Sequence, residues 1–196
     1  MPALIDRHHR QEELAEATWR IILRDGVSAV SVRTVAAEAG LSTGSLRHVF
    51  PSKTDLLAFS MQLVNVRAEA RVRAHLSEPD PFTLAVQVLA ELLPIDAERL
   101  AEMRVNIALI AEAPGHPRLK ELQDESYRAI RWVCEQMISQ LQKAELTRQP
   151  LNLSYETAAL HAFIDGLAVH IVIEADPEFA GRATELLSRY LRGLLA

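Results

Sequence analysis

Apolar residues recur along this chain at three- and four-residue spacing, and no segment alternates convincingly, so the pattern predicts helices throughout. Leu14, Ala15, Thr18, Ile21 and Ile22 mark a first helix over 7–24, ended by Asp25-Gly26. Val32, Val35, Ala36 and Ala39 then give one apolar face of a short helix capped by Ser31, and Gly40 supplies a sharp turn. Leu46, Val49 and Phe50 form the inner face of another helix, capped by Ser42. Pro51 breaks the run, and Ser52-Lys53-Thr54-Asp55 reads as a capping box that opens a long helix to about 76.

Glu78-Pro79-Asp80-Pro81 is the clearest break, with Asp80 as a cap and Pro81 at the first helical position of a helix over 81–93. Asp96 caps the next, whose Leu100, Met103, Ile107 and Ile110 run up to Ala113. Leu119, Leu122, Ile130, Val133, Met137 and Leu141 mark a long helix ending near Ala144. Ser154 is expected to cap a helix over 155–174 that is apolar almost all round and therefore must be covered on more than one side. Asp176-Pro177 starts the last. The expectation is an all-α chain of about nine helices, an N-terminal three-helix head over 1–55 followed by a helical bundle over 56–196.

Charge sharpens this division. Lys+Arg and Asp+Glu balance at seven each through Asp55, so the whole net charge of −5 lies in the remainder. Between Ala39 and Thr54 there is no carboxylate, whereas Arg47, His48 and Lys53 fall within that stretch. The local field favours phosphate although the chain as a whole is acidic. Cys134 is the one cysteine, so no internal disulfide forms, and a reducing compartment fits. No signal-peptide pattern and no run of 18 apolar residues occurs, so a cytoplasmic location without a membrane span is expected.

The pair of short helices over 31–55 reads as a helix-turn-helix. Its second helix leaves Thr43, Gly44, Ser45, Arg47 and His48 outward, small, polar or basic residues suited to a major groove. No glycine-rich phosphate loop or serine nucleophile motif is present, which points away from an enzyme, and no cofactor is implied. His8-His9 could pair on a metal in principle, but adjacent helical residues point about 100° apart, so no metal site is expected there.

The segment TVAAEAGLSTGSLRHVFPSKTDLL, residues 34–57, resembles the DNA-binding domain of TetR-family transcriptional regulators. The Ala36 to Ser42 core, the Phe50 and Lys53 pair and Leu56-Leu57 stand where the family pattern puts them. The remainder resembles, more weakly, the BetI-like subgroup, through LLPIDAERLAEMRV at 92–105 and AFIDGLAVHIVI at 162–173. Two departures stand out: Arg47 and Val49 occupy positions where the family commonly has tyrosines, and tryptophans frequent around Met103, Asn106 and Ile110 are missing.

The resemblance implies a homodimeric repressor bound to a palindromic operator in double-stranded DNA and released by a small-molecule effector. On it, Thr43, Gly44, Ser45, Arg47 and His48 read the groove, Ser31, Arg33 and Thr34 approach the backbone, and Lys53 sits against a phosphate. Ala158, Ala162 and Gly166, at four-residue intervals, with Val169, Leu187 and Tyr190, form the dimer surface of the last two helices. Met103, Asn106, Ile110, Tyr127, Trp132, Met137 and Phe163, together with Cys134, are the expected effector lining. His161, Asp165 and His170 read as a polar patch in or near the interface. Two alternatives stay open: a helical interaction protein, and a regulator without a ligand.

Overall fold

The computed structural model describes residues 2–174 and 176–196, with side chains from His9 onward; the His8 half of the His8-His9 pair therefore lies outside the described residues. Nine α-helices occur among the described residues: α1 Pro2–Asp25, α2 Val32–Glu38, α3 Thr43–Val49, α4 Lys53–Ala74, α5 Pro81–Ala90, α6 Ala97–Glu112, α7 Pro117–Lys143, α8 Leu153–Glu174 and α9 Pro177–Arg192. No strand is present among them beyond a single bridge between Thr147 and Leu195.

The helix ends follow local chemistry. Asp80 accepts from the Thr83 amide at 2.8 Å and Asp96 from the Arg99 amide at 2.8 Å, each satisfying an amide that has no partner inside its helix. Asp176 accepts from the Glu178 amide at 2.9 Å ahead of Pro177. At α8 the cap differs from the expected Ser154. Asn152 Oδ1 takes the Tyr155 amide at 3.1 Å, because the helix begins at Leu153 and the side chain just before it meets the free amides.

The chain packs as two compact units. The first comprises Met1–Val66 and Arg104–Asp124. Its core joins Leu14, Ile21, Val35, Leu46, Phe50, Leu56, Leu57 and Met61 to Val105, Leu109 and Leu119. The Trp19 indole donates to the Ser60 carbonyl at 3.2 Å, fixing α1 against α4, and Phe50 and Phe59 lie with centroids 5.3 Å apart.

The second unit comprises Arg67–Met103 and Glu125–Ala196. Its core holds Ala85, Leu89 and Leu93 with Ile138, Leu141, Leu160, Ile164, Leu187 and Leu191. A charge network ties the end of α4 to α5 and α6: Arg71 reaches Glu102 at 2.8 Å, while Glu91 accepts from Arg99 at 2.9 Å and faces His75 at 3.0 Å. Helix α8 turns Leu160, Ile164, Leu167 and Ile171 into this core. By length and composition alone it could cross a membrane, a property that core helices share, and its opposite side is open in the single chain.

Candidate nucleic-acid interface

The interface is built on caps. Ser31 Oγ accepts from the Thr34 amide at 3.1 Å while Thr34 Oγ1 accepts from the Ser31 amide at 2.9 Å, a reciprocal box that starts α2. Thr34 also donates to the Ala29 carbonyl at 2.8 Å. At the other end of α2, Leu41 bonds back to the Ala36 carbonyl at 2.8 Å and Gly40 to Ala37 at 3.2 Å. This six-to-one and five-to-two pairing needs a left-handed residue between helix and turn, and Gly40 has φ 67°.

Helix α3 starts on Ser42, whose Oγ accepts from the Ser45 amide at 3.1 Å and lies 2.9 Å from the Ser45 hydroxyl. Leu46 is its buried anchor. Thr43, Gly44, Ser45, Arg47 and His48 are all exposed, so one face holds the helix and the other presents small and basic groups. Arg33 is exposed on α2, and Ser31 is half-buried beside it.

Lys53 is positioned in a way that spacing does not reveal. Its Nζ donates to the Val27 carbonyl at 3.1 Å, bridging the start of α4 to the short turn before α2. An ammonium has three donors, so this bond leaves others for an anion. The Ser52–Asp55 box that opens α4 is formed as the sequence predicts, with the Asp55 amide on Ser52 Oγ at 3.2 Å and the Ser52 amide on Asp55 Oδ2 at 3.0 Å.

One carboxylate on α2 required the tertiary structure to interpret. Glu38 accepts from Arg20 Nε at 2.9 Å and Arg24 Nη1 at 3.2 Å, and these hydrogen bonds hold its carboxyl below the usual glutamate range. The two α1 arginines offset its charge. A hollow of about 340 Å³ lies beside them, lined by Ile21, Arg24, Asp25, Ala29, Thr34, Ala37 and Glu38.

The residues expected to line an effector site scatter. Among the described residues Asn106 Oδ1 is buried with no hydrogen-bond partner, and Ile110 packs half-buried in the same unit. In the other unit Met137 is buried, Met103 and Phe163 pack half-buried against the core, and Phe163 stacks on Tyr190 at 4.5 Å. Tyr127 is 54% exposed and lies against buried His161 at 4.8 Å. Trp132 is 61% exposed, contrary to an inward role: the core side of α7 is taken by Cys134, Met137, Ile138 and Leu141, which turns Trp132 out. Burial pushes the Cys134 thiol up to about 12.

Ala158, Ala162 and Val169 are exposed on α8 and Gly166 is half-exposed. Leu187 corrects the expected partner surface. It is fully buried within the chain, because the inward row of α9 is Ala183, Leu187 and Leu191, and the neighbouring Leu186 turns outward instead. His161 faces Asp165 at 3.5 Å and His170 faces Glu174 at 3.6 Å. The described residues contain no group of three or more His, Cys, Asp or Glu able to hold a metal ion.

The chain resembles known proteins over most of its length. A family model for bacterial regulatory proteins of the tetR family matches residues 14–58, and one for the C-terminal part of BetI-type transcriptional repressors matches 81–196. The transcriptional regulator PksA of Bacillus subtilis is 36% identical over 175 residues, covering 89% of this chain and 84% of that protein. The regulator BetI of Burkholderia thailandensis is 29% identical, covering 100% and 98%. Among solved structures, a transcriptional regulator from Rhodococcus sp. Rha1 superposes with TM-score 0.77 at 26% identity over 94% of this chain and 97% of that one. One from Saccharomonospora viridis, in complex with choline, superposes with TM-score 0.86 at 22% identity over 96% and 99%.

Proposed function

The chain belongs to the TetR family of bacterial transcriptional regulators, with a C-terminal part of the BetI type, and from that premise we propose that it is a homodimeric, sequence-specific repressor of the cytoplasm, released by a small molecule bound in its C-terminal part. The observation that carries the DNA-binding reading is the outward face of α3. Thr43, Gly44, Ser45, Arg47 and His48 are exposed on a helix whose other face is anchored by Leu46. Arg47 and His48 stand with no carboxylate between Ala39 and Thr54 to oppose them.

One such helix reads only a few base pairs, so useful specificity needs two heads about one DNA turn apart or a multiple of it. The open side of α8, with Ala158, Ala162 and Val169, supports a two-fold partner, and Gly166 permits close approach. Tyr190 borders that surface, and Leu186 takes the outward role that Leu187 does not. Asn106 Oδ1, which has no hydrogen-bond partner among the described residues, supports a polar contact to an effector from α6, with Ile110 of the same unit as a further candidate contact. For release, the effector must favour the state that DNA does not bind.

A shift assay on the DNA flanking the gene, titrated with salt, tests the first part: discrimination against random duplex and a log-linear salt slope are expected. Equal affinity for random duplex would refute sequence-specific binding. Choline, bound by the Saccharomonospora viridis regulator, is a first compound to add. Operator affinity unmoved by any compound in a metabolite panel leaves a regulator without a ligand.

A further inference from the structure

Helix α8 presents to the outside Tyr155, Ala158, Ala162, Val169 and Ile173, with Tyr155 70% and Ile173 74% exposed. Their spacing lines them along one stripe of the helix. A single carboxylate, Asp165, stands at the border of this stripe with its side chain 59% exposed, and its in-chain neighbour His161 lies 3.5 Å away on the inner side. The apolar surroundings raise the Asp165 carboxyl by desolvation, against the pull of His161.

Helix α9, packed beside α8, has an outward hollow of about 300 Å³ lined by Phe179, Leu186, Arg182, Glu185 and Arg189. Arg182, Glu185 and Arg189 lie on one side of the helix at three- and four-residue spacing, two cations to one anion. Among the described residues neither arginine has an ion-pair partner. The two helices together thus carry one anion at the edge of an apolar stripe and surplus cations at the edge of an apolar hollow.

In a two-fold dimer the joined face as a whole meets its own copy, so a residue of the α8 stripe that contacts the partner's α9 has its α9 counterpart contacted in turn by the partner's α8. Joining along the α8 stripe takes Asp165 from water, and a carboxylate so placed needs a cation beside it. We infer that Asp165 of each protomer pairs with Arg182 and Arg189 of the partner subunit, and that this charge pairing makes the interface selective for a second copy of this chain. The inference rests on the dimer proposed above and adds the charge pairing that selects the partner. Like charges in the same places would exclude chains that share the apolar stripe but not the pattern.

Two charge reversals test it. Wild type, Asp165→Arg and the double variant Arg182→Glu/Arg189→Glu are compared by light scattering at micromolar concentration, with helical circular dichroism as a folding control. The expected result is a dimeric wild type, two variants that each dissociate at least tenfold more readily, and recovery of a dimer when they are mixed in equal amounts. A monomeric wild type would overturn the dimer itself. A dimeric wild type with variants that still self-associate, or that fail to recover on mixing, would overturn the pairing alone. If a reversal unfolds the chain, Asp165→Asn and Arg189→Gln serve instead: dissociation raised at least tenfold with a flattened salt dependence supports the pairing, and unchanged dissociation refutes it.

Discussion

Glu102, only 2% exposed, is held by Arg71 through two hydrogen bonds, Nη2 to Oε2 at 2.8 Å and Nη1 to Oε1 at 3.3 Å. A buried carboxylate of this kind persists because its partner is in place, and removing one member leaves the other charge uncompensated. Glu102→Gln is expected to destabilise the protein by about 3 kcal/mol, the lower end of the range for such pairs, since Arg71 keeps Glu91 at 3.3 Å. Urea unfolding measures it. Replacing both by apolar residues, Arg71→Met/Glu102→Leu, is expected to restore much of the loss.

Arg47 and Lys53 are proposed for two different kinds of DNA contact. Arg47→Ala is expected to cost about 1–3 kcal/mol on the specific operator and relax specificity at one base pair if Arg47 reads a guanine. Lys53→Met is expected to weaken specific and random duplex alike and to lower the salt slope by about 1. Titrated shift assays at several salt concentrations distinguish them, and an Arg47 variant with unchanged affinity and slope would have neither role.

Gly40 holds φ 67° in the turn between α2 and α3, and a Cβ built there meets open space. Gly40→Ala therefore carries only the cost of a left-handed backbone, about 1–2 kcal/mol. The urea midpoint should fall accordingly, with the unfolding slope unchanged.

Acid acts on three depressed carboxyls. Glu38 is lowered by hydrogen bonds from Arg20 and Arg24, Asp80 by those from Thr83, and Asp96, although burial raises it, by those from Arg99. A carboxyl depressed on folding stabilises the protein above its ordinary value and loses that contribution as pH falls through the folded value. Stability is thus expected to decline below pH 4.5, the ordinary value for Glu38, and further below 3.8, that for Asp80 and Asp96. Thermal melts from pH 6 to pH 3 check this, and Asp80→Asn should flatten the decline.

Cys134 is buried, with its thiol raised to about 12. At pH 8 the folded protein should present almost no thiolate, so a disulfide reagent is expected to react only as fast as the chain opens. Added urea should restore rapid reaction, while a prompt reaction in buffer would contradict the burial.

Much of the candidate interface's local structure was legible in the sequence because its determinants are local. Ser31 with Thr34, Ser42 with Ser45 and Ser52 with Asp55 act across three residues, and Gly40 acts on its own backbone. The exposure of Thr43, Arg47 and His48 follows from Leu46 being the anchor of a seven-residue helix. The role of Lys53 was legible only in part, since its bond to Val27 spans 26 residues.

By itself, then, the sequence determined the helical content, most of the caps, the phase of α2 and α3 and the family. Those rest on neighbours within one turn and on apolar periodicity that has a clear phase. The tertiary structure alone decided which side of α8 is core, because a helix apolar all round has no phase to read. It also decided that Leu187 is interior and Trp132 exterior, that two α1 arginines neutralise Glu38, and that Arg71 reaches Glu102 across 31 residues of chain. Such pairings are set by how helices distant in sequence pack, and no local pattern records that choice.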